Sequence, residues 1–370
     1  MQLVKTDRDA LLKPLQIVSG IVERRHTLPI LANILIRKDG SQLSFLSTDV
    51  EIQISTRAEI GAGSEKEATT VAARKLLDIL RAMPEGEVSL ALNSKKLTVQ
   101  SGKSRFNLQT MDASDFPTVS VPESYVTTLS LPQKTLKHLL QMVHIAMAQQ
   151  DIRYYLNGLL LVVEGTQIRA VATDGHRLAY SAVTAEGEHA RQEVILPRKT
   201  ILELQRLLDE SDSPVQIQLA SNQARFTFQD IELVTKLVEG KFPDYQRVIP
   251  SGYQKNFLIN REALLRSLQR VAILTSDKFK GVRCQLGDNT MRLSSTNADQ
   301  EEAQEELEVD YAHEALDIGF NVSYLQDVLN NLRCENIQLS YGDANSSALI
   351  SLPTEGEDSS FKYVVMPMRI

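Results

Sequence analysis

The sequence contains no tryptophan, and aromatic residues make up only 5% of its 370 positions. Any core must therefore be built mainly from leucine, valine and isoleucine. Cysteine is limited to Cys284 and Cys334, far apart and in no C-x-x-C pair. That excludes a disulfide framework and a cysteine-based metal site. The histidines are scattered; His138 and His144 share a helical stretch but stand six apart, off a common face. No apolar run approaches the ~18 residues that cross a bilayer. The N-terminal MQLVKTDRDALLKPL has no apolar leader region, so a cytoplasmic protein is expected. Walker A, G-x-S-x-G, H-E-x-x-H and zinc spacings are all missing. Neither a cofactor nor a metal is expected, and there is no nucleotide site.

The chain instead carries repetition. Its length predicts two or three domains. Leu136, Leu139, Leu140, Val143 and Met147 fall at spacings of three and four, the signature of an amphipathic helix. Leu11, Leu12, Leu15 and Val18 repeat that pattern, as do Leu264, Leu265, Leu268 and Val271. After each helix comes a strand: Leu31–Ile36, Tyr154–Val163 and Gly281–Leu286. A turn and a second strand follow, ending in Thr48-Asp49, Thr173-Asp174 or Thr296-Asn297. In the middle copy Glu164-Gly165-Thr166 supplies the turn. Second helices are predicted over Arg74–Met83, Arg198–Leu208 and Ser323–Arg333, each leading into alternating strands. The plan per copy is β-α-β-β-β-α-β-β-β, an α+β architecture, because the strand connections are too short for crossover helices. Three domains are predicted: 1–122, 123–250 and 251–370.

Net charge is −7, which on totals argues against nucleic acid. Local distribution matters more. The helices carry Lys13, Arg74, Lys75, Arg81, Lys134, Lys137, Arg198, Lys199, Arg206, Arg261, Arg266 and Arg270, whereas acid concentrates in Glu301–Glu306 and the loop before Phe361. Ordinary solvated helix faces are the first explanation of such cations. Helices facing a common interior would instead make that interior positive and leave the exterior negative.

The strings RYYLNGLLL, ATDGHRLA, KLVEGKFPDYQRV, GFNVSYLQDVLN, CEN and the terminal YVVMPMRI closely resemble the bacterial β sliding-clamp family, the processivity subunit of DNA polymerase III. The resemblance covers essentially the whole chain and agrees with the three-fold repeat. It implies three tandem DNA-clamp domains and a head-to-tail homodimer closed into a ring around duplex DNA, without catalysis. Carried over residue by residue, it implies DNA-facing Arg25, Arg74, Gln150, Tyr154, Tyr155 and Lys199. Strand core is the competing assignment for the two tyrosines, and Arg24 competes with Arg25. It implies a partner-peptide pocket of Leu156, Thr173, Gly175, His176, Arg177 and Leu178, with Pro243, Arg247, Val248, Asn321 and Tyr324. Val364, Val365, Met366, Pro367, Met368 and Arg369 complete it. A core strand is the bland reading of that last stretch. The implied partners are the polymerase alpha subunit, an ATP-driven clamp loader, and other polymerases and repair proteins, all through short peptide motifs. For the dimer contact it points to Phe106 and Leu108 on Ile273 and Leu274, with Lys75 and Arg105 facing Glu301, Glu302, Glu305 and Glu306.

Two other readings compete. Asp174-Gly175-His176 invites acid–base chemistry with Arg177 holding an anion, although no nucleophile motif accompanies it. A repeat-built scaffold that binds proteins without encircling DNA is the second.

Overall fold

The computed structural model describes residues 2–23, 28–60, 66–276, 280–353 and 360–369. It divides into two compact units, Met1–Lys134 with Leu202–Leu237, and Thr135–Ile201 with Val238–Ile370.

The element order runs through one plan three times. The first pass is β1 (Gln2–Asp7), α1 (Arg8–Val18), β2 (Asn33–Asp39), β3 (Gln42–Thr48), β4 (Ile52–Glu59), β5 (Lys66–Ala72), α2 (Ala73–Ala82), β6 (Glu87–Asn93), β7 (Lys96–Ser101) and β8 (Ser104–Met111). The second is β9 (Thr127–Pro132), α3 (Gln133–Val143), β10 (Gly158–Thr173), β11 (Arg177–Pro197), α4 (Arg198–Leu207), β12 (Pro214–Leu219), β13 (Gln223–Phe228) and β14 (Ile231–Lys236). The third is β15 (Lys255–Asn260), α5 (Arg261–Ala272), β16 (Gly281–Gly287), β17 (Thr290–Thr296), β18 (Glu302–Glu308), β19 (Leu316–Asn321), α6 (Val322–Asn331), β20 (Asn336–Tyr341), β21 (Ala348–Ser351) and β22 (Phe361–Val365).

The helices follow their apolar stripes. Leu264, Leu265, Leu268 and Val271 are the buried face of α5, and Asn260 caps it by accepting from the Ala263 amide. Leu11, Leu15 and Val18 do the same for α1. Each fully buried leucine contributes about 2 kcal/mol over an exposed one. In the first and third copies a serine hydroxyl donates to the helix end: Ser47 to Val18 O, Ser295 to Val271 O, both at 2.5 Å.

Three details differ from the sequence reading. Counting the two halves of the long runs β10 and β11 separately, each copy has one more strand than expected, the fourth: β4, the Arg177–Thr184 half of β11, and β18. In the third copy this is β18, EAQEELE, whose side chains alternate between exposed and half-buried. Glu, Gln and Ala have poor strand propensity, so the segment reads as coil until its neighbour β17 is seen. The Glu164–Thr166 turn lies inside the single run β10. It appears as two register irregularities with Gly165 at φ +58. Tyr154–Leu156 forms a 3-10 turn before β10, as Pro29–Ala32 does before β2.

All sheets are antiparallel. The first unit holds one twelve-stranded sheet, order β1-β6-β7-β8-β5-β2-β3-β4-β14-β13-β12-β9. The second holds a six-stranded sheet, β10-β11-β22-β21-β20-β15, and a four-stranded one, β18-β17-β16-β19. One rule recurs at both junctions. The fourth strand of a copy pairs with the last strand of the next: Ile52–Thr56 with Ile231–Thr235, and Arg177–Ser181 with Phe361–Val365.

Candidate functional site: the Thr173–Leu178 turn and the C-terminal strand

The site begins with a turn. Thr173 Oγ1 donates to the Arg177 carbonyl at 2.6 Å and accepts from the Gly175 amide at 3.1 Å. Asp174 Oδ1 accepts from the His176 and Arg177 amides at 2.9 and 3.1 Å. Gly175 sits at φ +89, where a side chain is strained. A Cβ there would also stand 3.0 Å from Arg153 Nη1.

Arg177 ties this turn to the third copy. Its Nε donates to Asp174 Oδ2 at 3.0 Å and its Nη1 to Asp327 Oδ2 at 2.6 Å. The guanidinium lies 4.4 Å from the Tyr324 ring centroid. Burial opposes its charge, but Tyr363, Asp327 and Asp174 outweigh that and raise its pKa. The Tyr363 hydroxyl donates to the Tyr324 carbonyl at 2.9 Å, and burial pushes its pKa up. Arg177 Nε and Nη1 are thus committed to two carboxylates of the chain itself. Asp174 serves amides and Arg177, and no hydrogen bond joins it to the His176 ring. The acid–base reading of this triplet fails on geometry.

The C-terminal strand runs alongside. Leu178 pairs with Val364 and Arg177 with Val365. Beyond the strand, the Met366 amide donates to His176 O at 3.0 Å and the Met368 amide to Gly319 O at 2.8 Å. The core-strand reading holds for part of this stretch. Val364 and Val365 are buried core, while Met366 is 48% exposed and Arg369 is exposed too. Alternation turns Val365 away from the face that Val364 shares with Leu178.

Leu156, Leu178 and Val364 meet in one apolar cluster with Ala148, Leu160, Val162, Val171, Ile195, Phe242 and Tyr245. Pro243, Arg247 and Val248 stay exposed on the same segment, with Arg247 paired to Asp244 at 3.0 Å. Asn321 caps α6 through the Ser323 amide. A cleft of about 510 Å³ is lined by His176, Arg177 and Tyr324 together with His144, Arg198 and Asp327. Burial lowers the His144 pKa there, and burial with the nearby Arg177 charge lowers that of Arg198. Sequence reasoning missed Phe242, Tyr245 and Asp327. The first two were signalled by FPDY; nothing local signals Asp327, which meets Arg177 across 150 residues.

The residues expected to face DNA lie in both units. Arg24 and Arg25 fall outside the described residues. Arg74, on α2, donates to Val22 O at 3.2 Å and is otherwise exposed. Gln150 is exposed at φ +54. Tyr154 is 57% exposed and Tyr155 half-buried, stacked edge to face at 5.9 Å. They lie in a 3-10 turn and not in a strand, and Tyr155 packs against the apolar cluster while Tyr154 does not. Lys199 is half-buried on α4. Several other helical cations are spent inside the chain: Lys134 on Asp212, Arg206 on Glu203, Arg266 on Glu262, and Arg261 on the Leu329 and Cys334 carbonyls.

The residues expected at the dimer contact flank two strand edges. Arg105 and Phe106 are exposed on β8 and Leu108 half-buried; Lys75 is exposed on α2. Ile273 is 77% exposed after α5, with Leu274 half-buried. Glu305 is held by Arg270 at 2.5 Å and Glu306 by Arg292 at 3.3 Å, and the Asn297 amide group donates to Glu301 at 2.6 Å. Only Glu302 of the four is left without such a contact among the described residues.

Among the described residues no cluster could hold a metal ion, and no helix is long and apolar enough to cross a membrane. Burial pushes the Cys284 thiol up to about 12, which leaves it inert. The site suits an extended peptide, not bond polarisation.

The comparisons agree with this geometry. Models of the DNA polymerase III beta subunit match as N-terminal domain over residues 1–120, central domain over 130–244 and C-terminal domain over 246–369. The beta sliding clamp of Pseudomonas putida is 47% identical over 365 residues, 98% of each chain. That of Escherichia coli K12 is 44% identical over 365 residues, 98% of this chain and 99% of its own. A crystal structure of the Pseudomonas aeruginosa DNA polymerase sliding clamp superposes with a TM-score of 0.95 at 44% identity, covering 100% of both chains. Another from that organism, bound to griselimycin, matches equally. The chain belongs to the family of the DNA polymerase III beta subunit, the non-catalytic beta sliding clamps.

Proposed function

We propose that two copies of this chain close head to tail around duplex DNA and tether replication and repair proteins to it. The observation that carries the proposal is the pairing rule. Fourth strand meets last strand at both internal junctions. Among the described residues that leaves β18, the fourth strand of the third copy, bonded only to β17, and most of β8, the last strand of the first, bonded only to β7. Exposed unpaired edges invite pairing with another chain. The two are complementary: β8 brings exposed Arg105 and Phe106, β18 brings exposed Glu302, and Ile273 and Leu274, exposed and half-buried, follow α5. The same contact repeated twice closes a two-fold ring. Ion pairs at the seam add about 0–1 kcal/mol each, so the strand edge and apolar side chains hold it.

In this reading the three domains are 1–122, 123–250 and 251–370. Arg25, Arg74, Gln150, Tyr154, Tyr155 and Lys199 touch phosphates without reading bases. The polymerase alpha subunit, the clamp loader and other replication proteins insert short apolar peptides at the Leu156–Leu178–Val364 cluster, against the adaptable Met366 and Met368. The work is done in the bacterial cytoplasm.

The deciding experiment loads the protein onto nicked circular DNA with a clamp loader and then linearises the DNA. A ring stays on the circle and slides off the ends; equal retention on both overturns the proposal in favour of a scaffold that does not encircle DNA. Ile273→Ala with Leu274→Ala is expected to give monomers in sedimentation, and a surviving dimer would place the seam elsewhere.

A further inference from the structure

The face that carries the peptide cluster does not stop at it. In the β10–β11–β22 ladder Thr173 lies opposite Leu178 and Val171 opposite Tyr180, while Arg169 lies opposite Ala182. Leu178 in turn faces Val364, and Tyr180 faces Lys362. Residues two apart, and residues directly opposite, share one face of a sheet. One face therefore changes character along its length. Leu178, Val364 and Val171 make an apolar stretch; Tyr180, Lys362 and Arg169 follow it, about 7 Å further per residue pair.

That second stretch is concave. A cleft of about 780 Å³ opens there, lined by Arg169, Tyr180, Tyr245 and Lys362 among others, and none of its lining residues is acidic. Tyr180 stacks on Tyr245 at 6.0 Å, and Tyr245 is also a member of the peptide cluster. The Tyr245 hydroxyl is unusual. The residue is only 6% exposed, and no acceptor stands in hydrogen-bonding geometry to its Oη. Arg169 lies close enough to interact with both tyrosines and to offer a weak hydrogen bond to the Tyr245 oxygen, but its best-aligned donors point at Glu164 and Gln167, at 2.9 Å each. Lys362 has no ion pair among the described residues. A buried hydroxyl without an acceptor costs free energy that a suitable ligand oxygen would recover.

We propose that this cleft is a carboxylate-reading extension of the peptide site, selecting partner segments that carry an acidic residue next to their apolar anchor. It rests on the peptide-pocket reading above. The carboxylate accepts from Tyr245 Oη and sits in the field of Lys362 and Arg169. The apolar cluster supplies affinity; the cationic cleft distinguishes one partner from another.

The test is fluorescence anisotropy with synthetic peptides sharing one apolar anchor, flanked on either side by two Asp or by two Asn. One of the two Asp placements is expected to bind about fivefold more tightly than its Asn counterpart at low salt, with the gain fading as salt rises. Lys362→Ala is expected to remove most of that gain while leaving the Asn peptides unaffected. Tyr245→Phe keeps the ring in place, so its melting temperature is expected to stay level or rise while part of the Asp preference is lost. Binding by no peptide overturns the pocket reading and this extension together. Equal affinity for Asp and Asn peptides on both sides leaves the pocket standing and overturns the extension alone. An Asp preference that survives both substitutions overturns it as well.

Discussion

The turn at Thr48–Ile52 in the first copy and the turn at Thr173–Arg177 in the second are the same device with different cargo. In the first, Thr48 Oγ1 donates to Ile52 O at 2.8 Å and accepts from the Val50 amide at 3.0 Å. Asp49 Oδ1 accepts from the Glu51 and Ile52 amides at 3.0 and 2.8 Å. Every bond has its counterpart in the second copy. The third keeps half of the scheme, with Asn297 Oδ1 accepting from the Asp299 and Glu301 amides at 3.0 Å. What differs is the last residue. Ile52 is 2% exposed in the apolar core; Arg177 holds the Asp174–Asp327 ionic cluster of the candidate site. A Thr-Asx pair fixes the backbone, and the side chain at its end decides whether the turn merely packs or also serves a ligand.

Exchanging the cargo breaks the comparison most strongly. Arg177→Ala leaves Asp174 and Asp327 facing each other without their cation, and a loss of about 3 kcal/mol is expected. Ile52→Ala is expected to cost a similar ~3 kcal/mol through a cavity. Chemical denaturation measures both. Peptide titration separates them, because only the arginine variant is expected to lose binding. Equal binding by the two variants would mean Arg177 is no more than scaffold.

The third residue of the turn sharpens it. Gly175 at φ +89 and Val50 at φ +80 occupy nearly the same conformation. A β-branched side chain is poorly tolerated there. Gly175→Ala is expected to destabilise by about 1–2 kcal/mol, whereas Val50→Gly should stabilise by up to about 1 kcal/mol. Urea midpoints give both signs. A destabilised Val50→Gly would show that its half-exposed side chain contributes more than the strain removes.

The smallest effect concerns the loop beside Gly175. Arg153, hydrogen-bonded to Asp151, holds that carboxyl at about 2. A depressed folded pKa adds stability that is complete above the unfolded value of 3.8 and lost as pH falls through about 2. Arg153→Gln is expected to bring the Asp151 titration, followed by carboxyl NMR, back toward the ordinary range. An unmoved titration would assign the depression to something other than the arginine.

The repeat, the helices and the strand-ending Thr-Asx pairs were legible because each is a local pattern. The copies also read one another, so a weak helix at Leu264–Val271 was supported by its likeness to Leu11–Val18. β18 was not legible. Its Glu-rich string acquires strand character only from pairing with β17. Nor was the Arg177–Asp327 contact, which rests on two segments distant in sequence. Residues of the peptide site were reached through resemblance, and the physical cause of their placement came from the sheet: Leu178 and Val364 are opposite each other in register. The charge census misled in part. Cations such as Arg270 and Arg206 looked available and are held by Glu305 and Glu203.

The tail after β22 is fastened at both ends, at Met366 and Met368, and Pro367 between them has no amide to offer. Its backbone entropy is surrendered when the chain folds, before any visitor arrives. If the proposed peptide site holds, peptides of different sequence land on the same fixed rail, with only two thioether side chains left to swing. Arrival rates should then vary little from one visitor to the next, and how long each stays is left to its own anchor.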